Sequence, residues 1–271
     1  MIKWDGHTHT EFCPHGSLDR TVDRIEKAIR LGFTHYSLTE HAPLPEESLS
    51  DPQLKDECGM TFEKTVAYFT FIKELKRIYG DKITIHSGLE VDFLSNNLEF
   101  TKDLVKRFHN DLDEWIFSIH FLEVNKKLIC LDYSPQAFKE QLVNFYGSVD
   151  EVHFAYWDCL RQLLAQDFSF FPPHRIAHLA VIRKFIVEFP LSTRIFESPD
   201  FYRPIMEKIK LKGYALDFNM AGLANSTCNE AYLTNPMLYW CKKYKIELVY
   251  GSDAHNIDSI GQYYEKAKPW L

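Results

Sequence analysis

Apolar and polar positions along the chain alternate between two rhythms. Short apolar runs of strand character occur at "IKWDGH" (2–7), "FTHYSLTEH" (33–41), "KITIHSGLEVDF" (82–93) and "WIFSIHFL" (115–122). Others follow at "RIAHLA" (175–180), "YALDFN" (214–219) and "IELVYGSDAH" (246–255). Between them, apolar residues recur three and four apart, the helical period. "SLDRTVDRIEKAIRLG" (17–32) reads as a helix capped by Ser17 and stopped by Gly32. Thr61 and Gly80 frame a second helix, and others are predicted near Leu98–His109, Pro135–Tyr146, Val149–Asp167, Phe201–Leu211 and Pro236–Tyr244, with a last one from Asp258. Strands that alternate with helices pair in parallel through helical crossovers. Seven such units without a glycine-rich dinucleotide turn favour an α/β barrel over an open Rossmann sheet.

One stretch breaks the rhythm. "APLPEESLSDPQLKDECGMT" (42–61) is rich in Pro, Ser and acid and has no period. So long a loop is expected to be functional, covering a site. No repeat or linker divides the chain, and residues 1–271 are expected to form one barrel domain.

The ends of the predicted strands carry the chemistry. They bear His7 and His9, Glu40 and His41, Glu90, His120, His178, Asp217 and Asn219, and Asp253 and His255. In a parallel barrel all these C-terminal ends meet at one face. Residues i and i+2 of an extended segment point the same way, so His7 and His9 can grip one ion, as can Asp253 and His255. Imidazole and carboxylate are ligands for zinc, manganese, iron or cobalt. A lone strand-end histidine is ordinarily a satisfied polar residue. Seven strand ends bearing such groups together exceed what packing explains, because burying them without a cation is costly. They also exceed the needs of one tetrahedral ion and suit a cluster of two or three.

The remaining histidines have plainer readings. His35 and His86 lie earlier in strands, His109 closes a helix, and His153 and His174 are open to either reading. The six cysteines include no CxxC pair, which suits reduced thiols in a cytoplasmic protein, with Cys13 a bystander among the histidines.

The net charge of −7 argues against nucleic acid and against anionic membranes as partners. No apolar run approaches the roughly 18 residues of a membrane span, and no apolar signal core is seen near the first residues. An anionic substrate would need a local countercharge, which bound metal supplies.

The segments "DGHTHT", "TEHAPLP", "GLEVD", "FSIH", "AHLAVIRKF", "DFNMAGL" and "GSDAH", in this order, resemble the polymerase and histidinol phosphatase (PHP) superfamily, and within it the histidinol-phosphate phosphatase branch. The resemblance implies a distorted (β/α)7 barrel with three divalent metal ions. One would be held by His7, His9, Glu90 and Asp253, a second by His15, His41 and His255, and a third by His120 and His178, with Glu90 bridging. It also places Asn219 near the substrate. Ala177 and Ala180 stand where many relatives carry glycine and aspartate.

The implied reaction is hydrolysis of L-histidinol phosphate, a step of histidine biosynthesis, with a hydroxide shared by two ions as nucleophile. Three helpers are expected beside the ligands: Arg161 reaching a phosphoryl oxygen, Glu40 orienting a histidine or binding the substrate amino group, and His153 donating a proton. The alternatives are a PHP enzyme acting on another small phosphate ester or nucleotide, a metal-dependent amidohydrolase, and an inactive metal-binding module. Amidohydrolases commonly use a carbamylated lysine in mid-barrel, and no strand-end lysine is present here. Oligomeric state is not set by the sequence.

Overall fold

The computed structural model describes residues 2–271. Seven parallel strands form one sheet: β1 (Trp4–Asp5), β2 (His35–His41), β3 (Thr84–Asp92), β4 (Ile116–Ser118), β7 (Arg175–Ile176), β8 (Ala215–Asn219) and β9 (Leu248–Gly251), in that spatial order. The two edges meet. Gly6 N donates to Tyr250 O (2.8 Å), Asp253 N to His7 O (2.8 Å) and His9 N to Ala254 O (3.2 Å). The result is the nearly closed seven-stranded α/β barrel that the alternation of elements predicts.

The ends of the barrel differ in chemistry. At the N-terminal end of the strands, buried Arg175 forms an ion pair with Glu114 (2.6 Å), donates to Gly6 O (2.7 Å) and lies against the Trp4 ring. That end is therefore closed by a buried ion pair and an indole. Outside the barrel, the helix Phe62–Tyr79 begins at Thr61, whose side chain accepts from Lys64 N, as a cap should. It buries Tyr68, Phe69, Ile72 and Leu75, and the Tyr68 hydroxyl sits 2.7 Å from Leu38 O and 2.9 Å from Gly88 O. One phenol thus pins the helix to β2 and β3.

Several expectations need correction. The first helix spans Thr21–Arg30, not Ser17 onward. Ser17 donates to Asp19 instead, and the Glu11 carboxylate accepts from Thr21 N (2.7 Å), doing the capping from a distance. "WIFSIHFL" is not one strand. β4 ends at Ser118, and Phe121 opens an antiparallel hairpin of β5 (Phe121–Val124) and β6 (Lys127–Cys130). Asn125 and Lys126 turn it, both at positive φ (51° and 66°), the conformation of a two-residue hairpin turn. The 42–61 segment contains short helical turns at Glu46–Ser48 and Leu54–Cys58. Its Leu44, Leu49 and Leu54 are buried with Phe121 and Leu128 of the hairpin, so it is a packed flap and not a free loop. The chain ends in turns and a short helix, Tyr264–Ala267, rather than a helix from Asp258.

Candidate metal centre

The C-terminal ends of the strands bring His7, His9, His41, Glu90, His120, His178, Asp253 and His255 into one cluster. Glu90, 1 % exposed at the end of β3, is its hub. Its Oε2 lies 3.2 Å from His7 Nε2 and 3.2 Å from His41 Nδ1. Its Oε1 lies 2.7 Å from His178 Nε2 and 3.5 Å from His120 Nε2, and accepts from Ser118 Oγ (2.6 Å). Asp253 Oδ1 is 3.1 Å from His9 Nε2 and 3.5 Å from His7 Nε2. The His15 ring lies 4.8 Å from that of His41 and 5.0 Å from that of His255, with its Nδ1 2.9 Å from Glu57 O.

Backbone geometry aims these groups. Asp253 occupies the left-handed region (φ 53°), which costs a non-glycine residue about 1–3 kcal/mol. Its N–H bond to His7 O holds it there. Two residues earlier, a Cβ on Gly251 would stand 2.0 Å from Asp217 Oδ1, so only glycine lets that carboxylate approach β9.

A further layer of carboxylates fixes the imidazoles. Asp217 Oδ2 lies 2.8 Å from His7 Nδ1, Glu40 Oε1 3.0 Å from His9 Nδ1, and Asp92 Oδ1 3.0 Å from His120 Nδ1. Each leaves the Nε2 of its histidine pointing into the cluster, the arrangement that orients metal-ligating histidines. Two other pairs of nitrogens confront each other: His120 Nε2 and His178 Nε2 at 3.1 Å, and His41 Nε2 and His255 Nε2 at 3.4 Å. At such distances one nitrogen of each pair must carry a proton, or a cation must lie between or beside the two. Ligand atoms of His7, His9 and Glu90, of His7, His178 and Asp253, and of His41, Glu90 and His120 each lie within 4.8 Å of one another. The donor set fits divalent metal.

The electrostatics agree. Burial opposes charge on His9 and His120, yet Glu40 and Asp92 respectively push them up to about 9 and about 10. Burial likewise opposes the charge on Glu90, which His7 and His41 nevertheless hold well below the usual carboxylate range. Burial and the neighbouring His9 push His255 down to about 3, and His41 also falls. A cluster that splits its imidazoles into protonated and neutral ones is compensating for positive charge that a cation would supply.

The expected helpers sit elsewhere or act indirectly. Arg161 lies on the outer helix Val149–Ala165, paired with Asp158 and set over the Phe201 ring, and does not line the site. His153, on the same helix, is 1 % exposed and packs on Phe196, with no route to a leaving group. Glu40 is fully buried, and its oxygens are taken by His9, Thr10 and His41 N, so it orients His9 and cannot receive a substrate amino group. Asn219 is also fully buried. Its Nδ2 donates to Asp217 and Asp253 and its Oδ1 accepts from Ala221 N, which makes it a positioning residue rather than a substrate contact. Cys13 Sγ falls within 4.8 Å of donor atoms of His9, His41 and His255, nearer the ligands than a bystander reading expects.

His153 permits a test. Burial, reinforced by Arg183, pushes it down to about 3, against 6.5 for a free imidazole. Between those values the unfolded chain binds a proton that the folded chain refuses, so stability is full above pH 6.5 and is lost as pH falls through that window. His153→Phe is expected to reduce acid destabilisation in denaturant melts between pH 7 and 4 and to leave turnover within about twofold. A large loss of turnover would return His153 to the reaction.

A cavity of about 280 Å³ opens over the cluster, lined by His15, His41, Glu90, His120, Asp253 and Lys184 among others. A second, of about 380 Å³, continues past Asp132, Tyr133, Glu57 and Cys58. Among the described residues, Lys184 is the one lysine or arginine lining either cavity. Sequence reasoning passed over Lys184, Asp92 and Asp132.

The PHP domain model matches residues 5–221. The chain belongs to the PHP family. A relative that spans the PHP barrel from end to end is a histidinol-phosphatase of Bacillus subtilis, 35% identical over 269 residues and covering 98% of both chains. A histidinol-phosphatase of Saccharomyces cerevisiae is 22% identical over 98% of this chain and 87% of its own. Among solved structures, a hisK protein of Listeria monocytogenes superposes with a TM-score of 0.92 at 35% identity, covering 97% of this chain and 99% of that one. A histidinol phosphate phosphatase of Lactococcus lactis, in complex with zinc, L-histidinol and phosphate, gives 0.70 at 20% identity, over 99% and 93% of the two chains. The last likeness supports the fold.

Proposed function

We propose that this chain is a metal-dependent phosphomonoesterase that hydrolyses L-histidinol phosphate to L-histidinol and phosphate. The observation that carries the substrate is the match to the Bacillus subtilis histidinol-phosphatase along almost its whole length. The carboxylate–imidazole cluster around Glu90 supports the reaction class. We assign one ion to His7, His9, Glu90 and Asp253, a second to His15, His41 and His255, and a third to His120 and His178 with Glu90 shared. Zinc, named in the Lactococcus lactis complex, suits these donors, as do manganese, iron and cobalt.

Bound divalent ions would supply activated water at neutral pH and positive charge for the phosphoryl oxygens. The protein's own work is to hold donors still. Asp217, Glu40 and Asp92 fix the Nε2 atoms of His7, His9 and His120, and Asn219 fixes Asp253. Ser118 donates to Glu90 Oε1, which leaves Oε2 toward His7 and His41. The buried walls leave the cluster open to water only through the cavity above it, so these charges act in a lower dielectric than bulk water.

Turnover of L-histidinol phosphate, p-nitrophenyl phosphate, glucose 6-phosphate and AMP by the purified protein tests this reading. L-Histidinol phosphate is expected to lead in kcat/KM by about 100-fold or more. Equal rates across the panel would overturn the substrate, and no hydrolysis of any ester would overturn the class.

A further inference from the structure

Lys184 and Asp132 form an ion pair between the two cavities that the metal ligands leave unused. Lys184 Nζ lies 3.0 Å from Asp132 Oδ2, and both residues line the cavity over the cluster and the one beyond it. Their backbones are firmly placed. Lys184 sits on the helical turn Val181–Phe185, just after His178, and its carbonyl accepts from Thr227 Oγ1 (2.6 Å). Asp132 follows β6, whose register next to the site is set by Leu131 N donating to His120 O (2.8 Å). Among the described residues its other oxygen accepts only a thiol, Cys130 Sγ at 3.4 Å. Neighbouring Arg183 is turned away to Glu230, so the turn sends one cation inward and one outward.

A partly buried ion pair contributes little to stability for its desolvation cost. Placed where a substrate must pass, it offers a plus and a minus about one hydrogen bond apart. Phosphate esters of 2-amino alcohols carry the complementary pair. The phosphoryl group and the ammonium are separated by two carbons, so one molecule can set its phosphate on Lys184 and its ammonium on Asp132. L-Histidinol phosphate is such an ester, with its imidazole then directed toward Glu57 and Tyr133 in the outer cavity.

We propose that Lys184 and Asp132 are the substrate-binding pair of this enzyme: Lys184 contacts the phosphoryl oxygens and Asp132 reads the 2-ammonium group, selecting phosphate monoesters of 2-amino alcohols. This deepens, and rests on, the phosphatase reading above.

The test uses the metal-loaded full chain and two matched substrate pairs: L-histidinol phosphate against its desamino analogue, and O-phosphoethanolamine against ethyl phosphate. Asp132→Asn is expected to lower kcat/KM about 30- to 100-fold for the amino esters and to change the desamino esters less than about threefold. Lys184→Gln is expected to lower kcat/KM about 10- to 100-fold for all four and to weaken inhibition by inorganic phosphate similarly. Lys184→Arg should restore most of that phosphate affinity. Metal content and melting temperature are measured on each variant. If a single substitution unfolds the chain, the double variant D132N/K184Q, which removes both charges together, must still lose its preference for amino esters.

Equal loss on amino and desamino esters in Asp132→Asn would overturn the role of Asp132, and unchanged phosphate inhibition in Lys184→Gln would overturn that of Lys184. Suppose wild-type protein ignored L-histidinol phosphate but preferred O-phosphoethanolamine to ethyl phosphate, and lost that preference in Asp132→Asn. The named substrate would then fail and the pair would stand. Turnover of L-histidinol phosphate with the preference intact in Asp132→Asn would mean the reverse.

Discussion

Glu90→Gln is expected to lower kcat on L-histidinol phosphate on the order of 10³-fold or more and to reduce bound metal by at least one ion per chain. The substitution keeps volume and hydrogen-bonding shape but removes the negative charge at the centre of the cluster. Glu90 is the group that approaches His7, His41, His120 and His178 at once, with both oxygens in use. No neighbouring carboxylate can take its place. Asp217, Asp92 and Glu40 are committed to the outer nitrogens of His7, His120 and His9, and Asp253 already faces His7 and His9. A neutral amide there would leave imidazoles facing one another without a compensating anion and would weaken any ion shared between them. Arg161→Ala, a surface change, is the control and should stay within about twofold. Turnover and elemental analysis on the same samples check both statements. Glu90→Gln protein with full metal content and turnover within about tenfold of the parent would remove Glu90 from the centre of the mechanism.

How much of this was legible beforehand depends on what each residue has to do. The cluster of donor side chains was readable because few side chains can donate to a metal, and because an HxH or DAH spacing in extended chain leaves them facing one way. The barrel was readable because burial on both faces forces apolar runs and crossovers force helices between them. The supporting groups were harder. Asp92 and Asp217 stand two residues from other polar strand-end positions, and only the packed barrel shows which carboxylate reaches which ring nitrogen. Lys184 was hidden beside Arg183, since a pair of basic residues on a short turn gives no sign of which one points inward. The hairpin escaped because its turn uses Asn125 and Lys126, without the glycine that usually marks such a turn. Arg161 misled for the opposite reason. An arginine on an amphipathic helix reads as available, yet a nearby aspartate and an aromatic ring on the outer surface satisfy it.

Removing metal with a chelator is expected to abolish turnover and to lower the stability of the fold, and both should return with divalent zinc, manganese or cobalt. An ion that binds only the folded chain stabilises it by about 4 kcal/mol when present at a thousand times its dissociation constant. Removal also leaves Glu90, Asp253 and their partners as a buried cluster of like and unlike charges. The imidazoles then change protonation. In the metal-free chain His9 and His120 hold protons up to about pH 9 and about pH 10, burial opposing and Glu40 and Asp92 favouring the charge. A metal ion can use their Nε2 atoms only after those protons leave, so binding at pH 7 must release protons, and apparent affinity must rise as pH rises toward those values. Calorimetric titration of zinc into metal-free protein, in buffers of different ionisation enthalpy, counts the released protons directly. Melting curves with and without metal report the stabilisation, and activity on L-histidinol phosphate follows reconstitution. Undiminished turnover by protein shown free of metal by elemental analysis would sink the assignment of these histidines as ligands. Metal binding without proton release would show that the ion sits away from His9 and His120.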